Sequence, residues 1–254
     1  MNLIMVKNDM SKYTIVTLEE VPSTNSYALE HITAFDDKSV VYAPHQNSGR
    51  GRFDRHWVFD ETENIYMSII LKPENVTNYP FPNLTQYLSV VVCKVLEKEF
   101  LLNPSIKWPN DILVENAKIS GILAESSMVN NKIEGIVLGL GLNVNLRKET
   151  LDNIDQNATS IGVLTGQQYD VKEIVEKICD EFFENYEAFV KGGFEYIKNE
   201  YINRCGFLGK NILIREAGEK KTYFAKSIDD EGLLVAIDEY SKECKIITGD
   251  VLCY

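Results

Sequence analysis

The sequence predicts an α/β protein of the α+β kind, with a mixed, largely antiparallel sheet, flanking helices and a small C-terminal β-domain. Three observations predict this class. Ile106 to Val144 reads as an antiparallel meander. In it Ile112-Leu113-Val114 and Ile119 to Glu125 flank Glu115-Asn116-Ala117-Lys118, and Asn130-Asn131 leads into Ile133 to Val144. Two stretches carry apolar residues at helical spacing: Leu84, Leu88, Val91, Val92 and Val95, then Val171, Ile174, Val175, Ile178, Phe182, Tyr186 and Phe189. From Gly206 the pattern changes to four or five short β-rich segments separated by turn signals, which suggests a small β-barrel. The expected division is residues 1–205 and 206–254.

In chain order, Tyr13 to Glu20 is a short first strand ended by Val21-Pro22. Ser23 or Thr24 caps a short helix through Ile32. The triplet Ser23-Thr24-Asn25 is either a plain cap or a cap whose small polar groups also face a ligand. Ser39 to Ala43 is a second strand that delivers the chain into a basic loop, His45 to Trp57. Asn64 to Leu71 is a buried strand, and a helix runs from Asn83 to about Phe100. Asn145 to Gln168 is polar and turn-rich, with a local cap at Ser160-Ile161. Asp170 caps the long helix, Gly192-Gly193 breaks it, and a shorter helix continues to about Arg204. Asn211 to Arg215, Thr222 to Ser227, Leu233 to Asp238 and Lys245 to Thr248 are the later strands.

Composition bounds the function. The 254 residues are 44% hydrophobic and 25% charged, ordinary for a soluble globular protein and enough for a sizeable core. A net charge of -12 argues against a broad nucleic-acid face. The five cysteines form no CxxC pair, which suggests reduced thiols in a cytoplasmic protein. The three histidines, His31, His45 and His56, have no metal-ligand spacing. Met1 to Lys12 has no signal-peptide pattern, and no apolar run reaches the about 18 residues a membrane span needs.

Against this acidic background Arg50, Arg52 and Arg55 fall within six residues, interleaved with Gly49 and Gly51. Glycine permits close backbone approach to a ligand, and arginine supplies planar charged donors for phosphate and carboxylate. The loop is either an anion clamp or a solvated surface loop. Residues 47–56 offer only Phe53 as a large apolar anchor, so the expectation is a lid that orders when a ligand supplies contacts. In Lys107-Trp108-Pro109-Asn110-Asp111, Lys107 supplies a cation, and Asn110 and Asp111 supply oxygens of the kind Mg²⁺ takes beside a phosphate. Lys118 is either an ordinary turn lysine or, beside these groups, a stabiliser of developing negative charge. Gly139-Leu140-Gly141-Leu142-Asn143 is not a dinucleotide loop, because the third glycine and the following helix are missing. Its glycines are expected to let a ligand lie against the sheet.

Taken together, Ser23-Thr24-Asn25, Gly49-Arg50-Gly51-Arg52, Lys107 to Asp111, Lys118 to Glu125 and Gly139 to Asn143 resemble, in order, the motifs of the biotin protein ligases. The resemblance runs from about Val21 to Val144, and the C-terminal β-domain also fits. It implies a catalytic domain related to class II aminoacyl-tRNA synthetases and a C-terminal SH3-like barrel. It implies ATP-dependent formation of biotinyl-5′-AMP, then transfer to a lysine of a biotin carboxyl carrier protein, the acetyl-CoA carboxylase subunit.

Biotin and ATP with Mg²⁺ would be the small molecules. Carried over by position, Lys118 and Arg52 would be catalytic. Ser23, Thr24, Asn25, Gln46, Gly49, Arg50, Gly51, Arg52, Lys118 and Gly121 would hold biotin. Arg50, Arg52, Trp57, Lys107, Asn110 and Asn143 would hold the nucleotide, with Trp57 packed on adenine, and Asp111 would serve the metal.

The chain departs from the family pattern at Asp54, where the loop usually has another glycine. About 20 residues precede Ser23, too few for the N-terminal helix-turn-helix of bifunctional members. The resemblance therefore implies a cytoplasmic ligase, monomer or homodimer, with no DNA or membrane partner. Lipoate ligases and octanoyl transferases share the implied fold, and a non-catalytic ligand-binding protein is the alternative from another class.

Overall fold

The computed structural model describes residues 4–6, 12–55, 57–74, 79–129, 132–216 and 218–253. In chain order the elements are β1 (Ile4–Val6), β2 (Thr14–Thr17), β3 (Glu20–Val21), α1 (Thr24–Glu30), β4 (Ser39–Ala43), β5 (His45–Gln46), β6 (Ile65–Leu71) and α2 (Leu84–Phe100). The meander follows as β7 (Pro104–Lys107), β8 (Asp111–Val114), β9 (Ala117–Val129) and β10 (Lys132–Leu142). Helices α3 (Lys148–Leu151), α4 (Ile161–Thr165), α5 (Val171–Gly192) and α6 (Phe194–Arg204) precede β11 (Asn211–Glu216), β12 (Glu219–Ile228), β13 (Leu234–Ile237), β14 (Glu243–Ile246) and β15 (Asp250–Cys253).

The eight-stranded sheet has the order β1-β2-β4-β6-β10-β9-β8-β7. Within this sheet, among the described residues, β2 and β4 pair in parallel and the other neighbours antiparallel, so the expected mixed, largely antiparallel sheet is present; β3 and β5 form a separate parallel pair. The caps read from the sequence form as hydrogen bonds. Ser23 accepts from the Ser26 amide, Ser160 from Val163 and Asp170 from Lys172. The Asn130-Asn131 turn and His56 lie outside the described residues.

The strand period of two explains how the sheet carries both a core and a site. In β6, Met67, Ile69 and Leu71 join the main core with α2 and α5, while Ile70 joins a second cluster with Ala28 and Ile32 on the opposite face. In β10, Ile136, Leu138, Leu140 and Leu142 point to the main core, and Val137 joins the second cluster. The face that carries Ser68, Gly139 and Gly141 is therefore the one covered by α1 and the basic loop.

The C-terminal strands form a five-stranded antiparallel sheet of order β14-β13-β12-β11-β15. Among the described residues its edge strands β14 and β15 do not pair with each other. Four strands match the segments read from the sequence; β15 is the fifth. The small sheet is seated on the helices, with Ile212, Ile214, Leu234 and Val251 in one continuous cluster with α2 and α5. The Gln86 amide donates to the Gly232 carbonyl at 2.8 Å, and Asn83 donates to the Glu231 carbonyl at 2.9 Å.

Candidate active site

One end of the site is a network of small polar side chains on the α1 face of the sheet. Ser68 Oγ lies 2.6 Å from Asn25 Oδ1 and 2.9 Å from Thr24 Oγ1. The Thr24 amide donates to Gln46 Oε1 at 2.9 Å. Asn25 Nδ2 donates to the Leu123 carbonyl at 3.2 Å and to Glu125 Oε2 at 2.9 Å. Ser23, Thr24, Asn25 and Gln46 are all buried and all line the cavity. Asn25 lies over Gly139, where a Cβ would fall 2.1 Å from its Oδ1.

Gly121 of β9 faces Gly141 of β10 across the ladder, and the Trp57 indole lies on this pair. A Cβ at Gly141 would come within 2.8 Å of the ring, as would one at Gly121. The floor is therefore covered by protein side chains. Gly139 and Gly141, read from the sequence as letting a ligand lie against the sheet, line the cavity together with Gly121, and the space their absent side chains leave is where Asn25 and Trp57 sit. The Trp57 indole nitrogen is buried without a hydrogen-bond partner, and the Lys118 ammonium stands 5.3 Å from the ring centroid.

Lys118 reaches this face through a break in strand register. Ile112 pairs with Ser120, but Leu113 pairs with Lys118, so Ile119 is an extra residue in β9. Without the bulge, Lys118 and Gly121, three residues apart, would point to opposite faces. With it, Lys118 Nζ is 3.3 Å from where a Gly121 Cβ would be. The ammonium lies 2.7 Å from Asp111 Oδ1, and Lys107 lies 3.2 Å from Asp111 Oδ2. Burial opposes ionisation of Asp111, yet the two lysines outweigh it and hold its carboxyl below the usual carboxylate range. Asn110 Nδ2 donates to the Ile122 carbonyl at 2.7 Å, fixing the turn that carries Asp111.

The arginine loop is held over the pocket by protein carboxylates. Arg50 Nη2 donates to both oxygens of Glu125 at 3.0 Å. Arg52 Nη1 donates to Asp250 Oδ1 at 3.1 Å and faces Asn110 Oδ1 at 3.4 Å, and Arg55 also pairs with Asp250. Burial pulls the Arg52 guanidinium below its ordinary range, with Asp250 and Asp111 acting against that. Phe53, the large apolar side chain of the loop, is 60% exposed and contributes little burial. Instead the Arg52 guanidinium stands 4.9 Å from its ring centroid. Ion pairs, with little apolar burial, offset the cost of ordering this loop.

The cavity has two parts that share the walls formed by Arg55, Trp57, Asn110, Asp111, Lys118 and Asp250. The first joins the polar end, the arginine loop, Asn110, Asp111, Lys118 and Gly121. The second opens beyond Lys118 and Trp57 to Lys107, Asn143, residues 153–158 and the C-terminal residues Arg215, Val251 and Leu252. Asn143 is committed, its amide donating to the Thr159 carbonyl at 2.9 Å.

Gly49 is set behind the cavity wall, where a Cβ would fall 2.3 Å from Gln46 Nε2 and 2.9 Å from Trp57 Cβ. Asp111, the residue expected to serve the metal, has both its oxygens on ammonium groups in this structure, one on Lys118 and one on Lys107. Sequence reasoning assigned no role to Ser68, Glu125, Gln156 or Asp250. Glu125 closes a quoted motif, but the other three have no local signal.

With this fold and site in view, the comparisons identify the class. The Biotin/lipoate A/B protein ligase family matches residues 17–143. The bifunctional ligase/repressor BirA of Bacillus subtilis is 30% identical over 97% of this chain and 73% of its own length. A biotin–(acetyl-CoA-carboxylase) ligase of Paracoccus denitrificans is 28% identical over 86% of this chain and 92% of its own. The biotin protein ligase of Aquifex aeolicus, solved with biotin and ATP, superposes with a TM-score of 0.77 at 27% identity, covering 95% of this chain and 98% of that one. The chain belongs to the Biotin/lipoate A/B protein ligase family.

Proposed function

We propose that the chain is an ATP-dependent biotin–(acetyl-CoA-carboxylase) ligase whose first cavity forms biotinyl-5′-AMP. Biotin's carboxylate attacks the α-phosphate of ATP, the bond to the β-phosphate breaks, and pyrophosphate leaves. A lysine amine of a biotin carboxyl carrier protein then attacks the mixed anhydride and AMP departs. The observation that carries this reading is one cavity holding a buried amide and hydroxyl network at one end and a cluster of cations at the other. The Aquifex aeolicus relative, bound to biotin and ATP, supports the same substrates here.

Ser23, Thr24, Asn25 and Gln46 present fixed donors and acceptors to the ureido ring of biotin. Lys118, aimed by the bulge and held by Asp111, stabilises the negative charge on the carboxylate and phosphate oxygens. Arg50, Gly51 and Arg52 cover the anhydride and exclude water from it. Trp57 offers its face to adenine. Lys107, Asn110 and Asn143 border the nucleotide side. Mg²⁺, where needed, enters bound to the triphosphate, beside Asp111 and the two lysines it holds.

Residues 1–205 act as the catalytic domain and 206–254 as a seated C-terminal β-domain. The macromolecular partner is the carrier domain. The arginine cluster faces inward to the pocket, and the remaining surface of a chain with net charge -12 suits neither DNA nor an anionic membrane. Among the described residues no helix is long and apolar enough to cross a membrane. Cytoplasmic residence fits the free cysteines among the described residues.

Exchange of labelled pyrophosphate into ATP tests the reading. Exchange that requires biotin supports it; exchange driven equally by lipoate or octanoate, or by neither acid, overturns it.

A further inference from the structure

Asp250 brings a carboxylate of the C-terminal sheet into the site, and it lies beyond residues 17–143 that match the family. It is 7% exposed and borders both parts of the cavity. One carboxylate oxygen accepts from Arg52 and the other from Arg55. Arg52 Nη1 also donates to the Gly249 carbonyl at 3.2 Å. The turn that delivers Asp250 is tightly fitted. Gly249 has φ of 150°, and a Cβ there would come within 2.9 Å of Ile214 Cγ2 and 3.1 Å of the Arg215 carbonyl. The strand start is therefore pressed onto β11 in a conformation that only glycine adopts readily.

These contacts tie together three pieces far apart in sequence: the arginine loop, the Asn110 turn and the start of β15. Two guanidinium groups share one carboxylate, so Asp250 neutralises one positive charge and leaves the other for an anion beside Asn110 and Lys118. Each arginine has its own oxygen on Asp250. One arginine can then turn to a phosphate while its neighbour keeps the loop attached.

We propose that Asp250 is a positioning residue for adenylation: through Arg52 and Arg55 it latches the loop over the pocket, so that the C-terminal domain retains the adenylate. The proposal deepens the ligase reading and rests on it. Removing the carboxylate leaves two close guanidinium groups, one of them half-buried, without their shared counter-charge, and such a loop opens. In this structure the loop is already held by its ion pairs to Asp250, so a phosphate would take over one arginine from a loop that is already in place.

The test compares Asp250→Asn and Asp250→Glu with the wild type, reading biotinyl-AMP escape to solvent and amide exchange of residues 49–55. In Asp250→Asn, escape should quicken about tenfold and loop exchange should rise, while Asp250→Glu restores much of both. Arg55→Gln breaks the same contact from the solvent side. Its effect should not add to that of Asp250→Asn, because the contact it breaks is already lost in Asp250→Asn. If Asp250→Asn disturbs folding, Arg55→Gln alone decides by the same two readouts. Wild-type escape and protection in both variants, or additive effects in the double variant, overturn the latch. A wild-type protein that makes no adenylate overturns the ligase reading instead, and loop exchange in the variants still decides the latch.

Discussion

The Lys118 ammonium lies 2.7 Å from Oδ1 of Asp111, with both side chains nearly buried. Lys107 occupies the other oxygen at 3.2 Å. One carboxylate thus fixes two cations and leaves a net positive charge on this side of the cavity.

Replacing Asp111 by Asn leaves two buried ammonium groups without a counter-charge, and should cost about 3 kcal/mol of stability at neutral pH. The pH dependence follows from the carboxyl being held below its usual range. Its contribution is fully present above the unfolded carboxylate pKa and is lost as pH falls through the folded value. The gap between wild type and Asp111→Asn should therefore stay constant from about pH 8 to about pH 5 and close below about pH 4. Urea unfolding across that range checks it; a gap that widens on acidification would contradict the assignment.

Lys118→Ala should slow adenylate formation by about 2 kcal/mol or more, while the fold survives because the bulge at Ile119 belongs to the backbone register. Single-turnover adenylation reads the effect. An unchanged rate would remove Lys118 from the chemistry.

Glu125 couples the two ends of the pocket, accepting from Asn25 at 2.9 Å and from Arg50 at 3.0 Å. Glu125→Gln should raise the biotin KM about tenfold and leave the ATP KM within about twofold, since it loosens the ring-binding amide more than the phosphate side. Steady-state kinetics in each substrate separates these outcomes; equal rises in both would mean Glu125 holds the loop alone.

The two glycines of the floor should fail differently. A Cβ at Gly139 would fall 2.1 Å from Asn25 Oδ1, and one at Gly141 within 2.9 Å of two indole carbons of Trp57. Gly139→Ala should abolish biotin binding. Gly141→Ala should displace the indole, shifting tryptophan emission and weakening ATP more than biotin. Titration calorimetry with each ligand, alongside fluorescence, distinguishes the two.

Much of this was legible in the sequence where the signal is local. Ser23, Ser160 and Asp170 cap the helices that their residue type predicts. The meander strands pair in chain order, which brings Lys107, Asn110, Asp111, Lys118 and Asn143 to one cleft. What stayed hidden depends on register or on distant partners. The extra residue at Ile119 that turns Lys118 into the pocket has no composition of its own. Gly139 and Gly141 were legible as places for close approach, but the sequence does not say that Asn25 and Trp57 are the protein groups that come there. Asp250 meets arginines nearly two hundred positions earlier, and nothing around it in the chain announces that partnership.

The central claim is that this cavity makes and keeps an acyl-adenylate of biotin before handing it to a carrier lysine. Mixing the protein with biotin and ATP labelled at the α-phosphate, without carrier, and then chasing with an unmodified biotin carrier domain tests it most directly. The account predicts about one labelled biotinyl-AMP per site held on the protein, discharged on the chase as biotinylated carrier and labelled AMP. Label released as ADP, or carrier biotinylated with no adenylate ever trapped on the protein, would contradict it.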